Sequence, residues 1–344
     1  MNRVYLDTAR LLTQVAPLIF TDGTFALKGG TAINLFVRDM PRLSVDLDLV
    51  FTDHRLPREQ ALDRINEALR QAADRLRRRG FQTHAVVAAD AGETKLLVRR
   101  DALEVKVEVN FVMRGTVYPV QNVAMAAKAR DLLMADMELP LVAKEDLYGG
   151  KLVAALDRQH PRDLFDVMQL FEEEGIPPGI RRAFVAYLAC HNRPIHEVLF
   201  PAMRDIRQDY ERTFKGMTAE TVELDALLAV RARLAEELPR ALDESERAFL
   251  LSLVHNSPRW DLLEIAHLQE LPGIRWKLRN LELLAVKNPE KFLAQAHELA
   301  ERFDRLQSTR PMSQQMASPW TFGNDRQEQE FFRQGIAKLD VEKQ

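Results

Sequence analysis

The 344-residue chain has a single cysteine, Cys190. One thiol excludes an internal disulfide framework and any zinc site built on several cysteines, and it fits a reducing compartment. Long apolar runs are also missing, since no stretch approaches the roughly 20 residues that a membrane-spanning helix needs. The opening MNRVYLDTARLLTQVAPLIF has neither a basic start nor a small-residue cleavage site, so no signal peptide is expected and a cytoplasmic location is. A large excess of either charge is missing as well, the net charge being −3. Nucleic-acid binding would therefore need a local basic surface. Arg75 to Arg79, Arg99-Arg100 and Arg181-Arg182 are candidates, each equally readable as a solvated helix face. The histidines show no zinc-ligand spacing backed by a third ligand.

What is present is an ordinary globular composition, 46% apolar and 29% charged, in a chain long enough for two domains. Residues 1–22 carry apolar positions at helical spacing, closed by Thr21-Asp22-Gly23. Residues 24–28 read as a strand, Gly29-Gly30 as a turn and Thr31 to Arg38 as a helix broken by Met40-Pro41. LSVDLDLVF then reads as a strand with Leu43, Val45, Leu47, Leu49 and Phe51 on one face and Ser44, Asp46 and Asp48 on the other. A charged amphipathic helix is expected over 57–79, followed by the strands FQTHAVVA, KLLVRR and ALEVKVEVNFVM. In the last of these Val105, Val107, Val109 and Phe111 oppose Lys106, Glu108 and Asn110. Beyond about residue 120 the strand signals fade, a linker is expected after about 175, and the rest reads as helix.

Charged carboxylates in an otherwise apolar strand are costly unless something pairs with them. Side chains two apart on a strand share a face, about 6.5 to 7 Å apart at Cα, so Asp46 and Asp48 can converge on a cation. Glu108 from a neighbouring strand would complete a set of hard oxygen ligands suited to magnesium, with Glu104 on the same strand face as the alternative third acid. Such acids in pairs hold metals for phosphoryl or nucleotidyl transfer. A solvated sheet face is the plainer reading of the same pattern. Gly29-Gly30-Thr31, with Asp46 fifteen residues after the threonine, shifts the balance. Two glycines opening a helix let backbone N–H groups approach a phosphate, and Thr31 adds a hydroxyl.

LKGGTAINL, RLSVDLDLVF, KEDLYGGKLVAALDRQHPRDLFDV and LPGIRWKLRNLELL together resemble the nucleotidyltransferase superfamily, and within it the AbiEii/AbiGii abortive-infection toxins of bacterial toxin-antitoxin pairs. That family, associated with phage defence, includes MenT-type tRNA nucleotidyltransferases. The resemblance implies Asp46 and Asp48 as metal ligands, Lys151 as an NTP-phosphate contact, and Asp163 or Asp166 as a further essential acid. Lys151 and Arg158 are seven apart and share a helix face, so both can point at a triphosphate. Asp163 also suits a helix N-terminus, and Arg162 suits either an acid or a phosphate. Arg42 and Ser44 flank the first acid as further candidates for holding the triphosphate. Gly149-Gly150 marks either close packing or a break between two helices. Trp260, Trp276 and Trp320 read as buried anchors more than as base-stacking groups.

The expected architecture is α+β: a nucleotidyltransferase-like mixed sheet over residues 1–140, then a mostly helical domain over 141–344 completing the active-site cleft. The expected activity is magnesium-dependent transfer of NMP from an NTP to an acceptor hydroxyl. The resemblance implies the tRNA 3′ end as acceptor, a block of translation and an antitoxin encoded nearby. Rival readings are a nucleotidyltransferase acting on a small molecule or protein side chain, and a non-catalytic NTP-binding module.

Overall fold

In the computed structural model, which describes residues 3–88 and 93–308, seven strands form one mixed sheet. They are β1 (Phe25–Lys28), β2 (Asp46–Phe51), β3 (Gln82–Ala88), β4 (Glu93–Arg100), β5 (Leu103–Asn110), β6 (Gln121–Ala124) and β7 (Glu138–Leu141). Their spatial order is β3-β4-β5-β2-β1-β7-β6, with β2 parallel to β5 and β1 parallel to β7, and the other neighbours antiparallel. Interleaved with them are α1 (Arg3–Ile19), α2 (Gly29–Ala32, prolonged by a π-helical turn over Ile33–Val37), α3 (Arg58–Arg78) and α4 (Ala127–Leu133).

The register follows from side-chain alternation. Val105, Val107 and Val109 of β5 and Leu47 and Leu49 of β2 are fully buried on one face. Fully burying each such side chain contributes about 1.5–3 kcal/mol. A one-residue slip would exchange the two faces, so this pairing is strongly fixed. Helix α1 covers that face at β2 and β5, and α3 covers it at β3 and β4. Their apolar stripes, Leu11, Leu12, Val15 and Ile19 on one and Ile65, Leu69 and Leu76 on the other, are buried. The opposite face of β1, β2 and β5 is left for polar side chains.

The remainder is helical: α5 (Lys144–Asp157), α6 (Pro161–Glu173), α7 (Pro178–Ala189), α8 (Ile195–Leu199), α9 (Arg207–Thr213), α10 (Leu224–Ala241), α11 (Glu244–Val254), α12 (Pro272–Lys287) and α13 (Pro289–Ser308). The expected α+β arrangement is therefore present, and the described residues fall into one compact unit. Among them no helix is long and apolar enough to cross a membrane.

Several local expectations change. The first aspartate strand begins at Asp46 rather than Leu43, because Leu43 donates its N–H to the Met217 carbonyl and Arg42 bridges to Thr218, which draws this segment off the sheet. Gly29-Gly30 is the first part of a helix rather than a preceding turn. Strands β6 and β7 follow residue 120, where no strand was expected; each has four residues, and β7 contains Pro140, so neither has a readable alternation. The expected linker after residue 175 is a tight reversal at Gly175 (φ 69°), after which α7 packs directly on α5. Gly149 explains that packing: a Cβ there would lie 2.7 Å from the Phe184 backbone nitrogen. The Gly149-Gly150 pair thus sits inside one continuous helix, and close approach is its reason.

Candidate active site

The polar face of the sheet carries charges in a row. Cross-strand register sets Lys28 opposite Asp48, Asp48 opposite Glu108, and Glu108 opposite Lys95, while Asp46 faces Lys106. Lys28 was not singled out from sequence, because only strand pairing reveals its neighbour. Gly29 has φ +76°, and a Cβ on it would lie 2.1 Å from Asp48 Oδ2. Only glycine therefore admits the Asp48 carboxylate over this backbone. Gly30 is similarly crowded, its absent Cβ lying 2.7 Å from an Arg42 guanidinium nitrogen and 3.2 Å from Ser44 Oγ.

Asp46 and Asp48 are half-buried neighbours on this face. Burial first, and then the Asp48 carboxylate, push the Asp46 carboxyl above its ordinary value, while Arg162 and Lys106 oppose the shift only in part. Arg162 reaches to 3.7 Å from Asp46. Two carboxylates held together at this electrostatic cost fit a divalent cation, since magnesium takes one or two carboxylates and fills its remaining positions with water and substrate phosphate. The expected three-acid set is not assembled. Glu108 is beside Asp48 in register, but its carboxylate lies 2.9 Å from Lys95 Nζ. Glu104 is further along β5 and pairs with Arg99. Among the described residues no three His, Cys, Asp or Glu side chains are gathered into a metal site.

Facing the acids are two helices joined by a tight turn. Arg158 ends α5, Gln159 takes a left-handed conformation (φ 54°), and His160 caps α6 by accepting the Arg162 N–H on Nδ1 at 3.1 Å. This turn folds α6 back onto α5. Lys151 Nζ lies 2.8 Å from Asp163 Oδ1 and 2.9 Å from Asp166 Oδ2. Arg158 binds the same Asp163 through two nitrogens, at 2.5 and 2.9 Å. Burial alone would lower Lys151 and raise Asp163. Their mutual attraction, with Asp166 and Arg158 added, outweighs burial, so the ammonium is pushed up and the carboxyl is held far below its ordinary value. Both groups are therefore charged at neutral pH.

Asp163 and Asp166, the two candidates for a further essential acid, are both almost fully buried. Salt-bridged partners on adjacent elements compensate their charges there. Asp166 is gripped by Arg42 through two bonds of 2.8 and 2.7 Å and accepts from Asn34 at 3.1 Å. Arg42, 2% exposed, is thus a buried tie between the β2 approach and α6 rather than a free phosphate contact. Thr31 likewise differs from expectation. Its side chain is buried, with the hydroxyl bonded to Ser44 Oγ and the Asp46 carbonyl, so it braces the acid strand from behind. Ser44 is buried at the edge of the cleft.

A cleft of about 690 Å³ joins these parts. Gly29, Asp46, Asp48, Lys151, Arg158 and Arg162 all line it. Lys151 forms buried floor, whereas the Arg158 side chain remains 59% exposed and available to a ligand. Asp146, another wall residue, had no distinguishing sequence signal. It accepts the Val117 and Tyr118 N–H groups and the Tyr187 hydroxyl, and burial pushes its carboxyl up to about 6 against those bonds. It staples the segment after β5 to α5 and α7. Trp276 also lines the cleft and is 47% exposed, contrary to the expected buried anchor. Trp260 packs against Phe249 with ring centroids 6.2 Å apart, and Trp320 lies outside the described residues.

The family model of the nucleotidyl transferase AbiEii toxin, a type IV toxin-antitoxin system component, matches residues 10–279. The chain belongs to the AbiEii family. The resemblance in its sequence motifs is thereby borne out. As an AbiEii protein it is a nucleotidyltransferase toxin, with an NTP as substrate and an antitoxin as partner. The AbiEii fold seen here is similar to that of MenT4, a nucleotidyltransferase toxin from Mycobacterium tuberculosis H37Rv. The TM-score is 0.55 at 19% identity, covering 80% of this chain and 93% of that one. At that identity the likeness establishes shared fold alone. No curated protein matches this AbiEii chain.

Proposed function

We propose that this AbiEii toxin transfers NMP from an NTP to the 3′-terminal hydroxyl of tRNA in the cytoplasm, using Mg²⁺, and so blocks translation. The carrying observation is the opposition of Asp46 and Asp48 to the charged α5–α6 turn across one cleft. In this reading residues 1–140 supply the acids and residues 141–344 supply the cations. Asp46 and Asp48 hold the divalent ion, which when bound supplies Lewis-acid polarisation of phosphoryl oxygens. Arg158 and Arg162 bind and orient the triphosphate. Lys151, locked by Asp163 and Asp166, presents a fixed positive charge that needs no rearrangement as negative charge develops. Gly29 and Gly30 act by leaving room for the Asp48 carboxylate and for Arg42 and Ser44, which keeps the acid strand close against the start of α2.

The test is incubation with each labelled NTP, Mg²⁺ and total tRNA. Label on tRNA that Asp48→Ala abolishes supports the proposal; label found only on protein or small molecules moves the acceptor elsewhere. The net charge of −3 favours such an alternative acceptor, because no overall field draws a polyanionic RNA to the chain. Nucleotide binding without transfer to any acceptor would overturn both enzymatic readings of this chain.

A further inference from the structure

Trp276 is a large apolar side chain left outside the core at a place where nearby groups are tightly fixed. Its neighbours on α12 point inward, Ile274 fully buried and Lys277 4% exposed. A Cβ on Gly273 would stand 2.9 Å from Cys190 Cβ and Sγ and 3.1 Å from Met113 Sδ, so the start of α12 is pressed against the cleft wall. Lys277 Nζ donates to the Arg193 carbonyl oxygen at 2.6 Å. The Arg193 guanidinium in turn binds Asp157 at 2.5 Å, one residue before Arg158. The indole is therefore held on the same continuous wall as the exposed cation. Burying an indole would stabilise the fold, and here it is presented to the cleft instead.

The turn that Lys277 clamps carries a second free group. Asn192 is exposed, lines the cleft, and its amide makes no hydrogen bond among the described residues. An exposed aromatic face and an amide that offers both donors and an acceptor, lining one cleft, match a nucleobase, which has a π-face for stacking and a polar edge for hydrogen bonding.

We propose that Trp276 is the stacking platform for a nucleobase in this cleft, with Asn192 meeting the base edge. The proposal rests on the nucleotidyl-transfer reading and deepens it. Two sources share this chemistry, the base of the incoming NTP and the terminal base of an RNA acceptor. Both would lie alongside the wall that ends in Arg158, with phosphates toward the cations and the base toward α12.

The chain has three tryptophans, so Trp260→Phe with Trp320→Phe leaves Trp276 as the sole indole reporter. Its fluorescence is titrated with each NTP, with inorganic tripolyphosphate and with tRNA. Saturable quenching by NTP or tRNA, and none by tripolyphosphate, is expected. In the otherwise native chain, Trp276→Ala weakens binding of the same ligand about tenfold and raises its KM with kcat largely kept, while Trp276→Phe retains most of the affinity. An effect confined to NTP assigns the donor base; one confined to tRNA assigns the acceptor base. If transfer proceeds and Trp276→Ala binds both ligands as tightly as the native chain, the stacking proposal alone is overturned. A native chain that binds neither ligand and transfers nothing overturns this proposal together with the nucleotidyl-transfer reading.

Discussion

Gly29 and Asp48 compete for one volume: a methyl group on the first would stand 2.1 Å from a carboxylate oxygen of the second. Gly29→Ala must therefore displace Asp48, and it also forces alanine into a left-handed conformation costing about 1–2 kcal/mol. Displacing a catalytic group by about 1 Å typically costs on the order of 100-fold in rate. Transfer activity should fall by that order while the melting temperature drops by only a few degrees. Near-native activity in Gly29→Ala would remove Asp48 from the metal-holding role.

The paired acids make a second, less intuitive expectation. Asp46 is raised by burial and by Asp48, so the site is electrostatically frustrated without a cation. Asp48→Asn should abolish transfer yet leave the metal-free protein as stable as the native chain, or more so. Differential melting in EDTA checks this. A lower melting temperature for the variant in EDTA would mean that the carboxylates support the fold instead.

Lys151 and Arg158 share Asp163 but differ in burial, and that separates their substitutions. Lys151→Ala leaves two buried carboxylates short of a partner, and breaking a buried pair costs about 3–5 kcal/mol. Arg158→Ala removes a side chain that is 59% exposed while Asp163 keeps Lys151, so its stability loss should be about 1 kcal/mol or less. Urea denaturation measures both. The Arg158 variant should instead raise the KM for NTP, and an unchanged KM would exclude a phosphate contact.

Adjacent glycines on α5 should respond with opposite signs. Gly149→Ala collides with the backbone of α7, whereas a Cβ at Gly150 meets nothing within 4 Å. Alanine at position 150 should raise stability by up to about 1 kcal/mol through helix propensity. Gly149→Ala should lower it, and thermal melts of the two single variants suffice to decide.

His160 links the cation turn to pH. Burial first, then the nearby Arg162, pull its imidazole from 6.5 down to about 4. The folded chain thus binds this proton less readily than the unfolded chain, so stability rises with pH between about 4 and 6.5. The contribution is complete above the unfolded value and is lost as pH falls toward 4. His160→Asn keeps a side-chain acceptor for the Arg162 N–H and does not titrate. Melting temperatures at pH 7 and pH 5 should converge in that variant relative to the native chain.

The parts of this site legible in the sequence are those with local signatures. The alternation of two on β2 puts Asp46 and Asp48 on one face, and the spacing of seven on α5 aligns Lys151 with Arg158. Arg42 and Asp166 are 124 residues apart and interlock only after α6 turns back. No local pattern separates such a buried tie from a ligand-binding arginine. Thr31 reads as a phosphate ligand because of the glycines before it, but the carbonyl that engages its hydroxyl belongs to the next strand. The exposure of Trp276 was equally hidden, since the spacing of α12 gives no sign of which face meets a cleft.

The row Lys28, Asp48, Glu108, Lys95 alternates outward from two acids to a cation at either end. Its formal charges cancel, so the sheet face has little far field of its own. A polyanionic nucleotide approaching from solution meets a compensated surface rather than an acidic wall, and short-range contacts inside the cleft govern capture. Nucleotide on-rates should accordingly vary only weakly with ionic strength, in contrast to enzymes that draw in their substrates over distances beyond the Debye length.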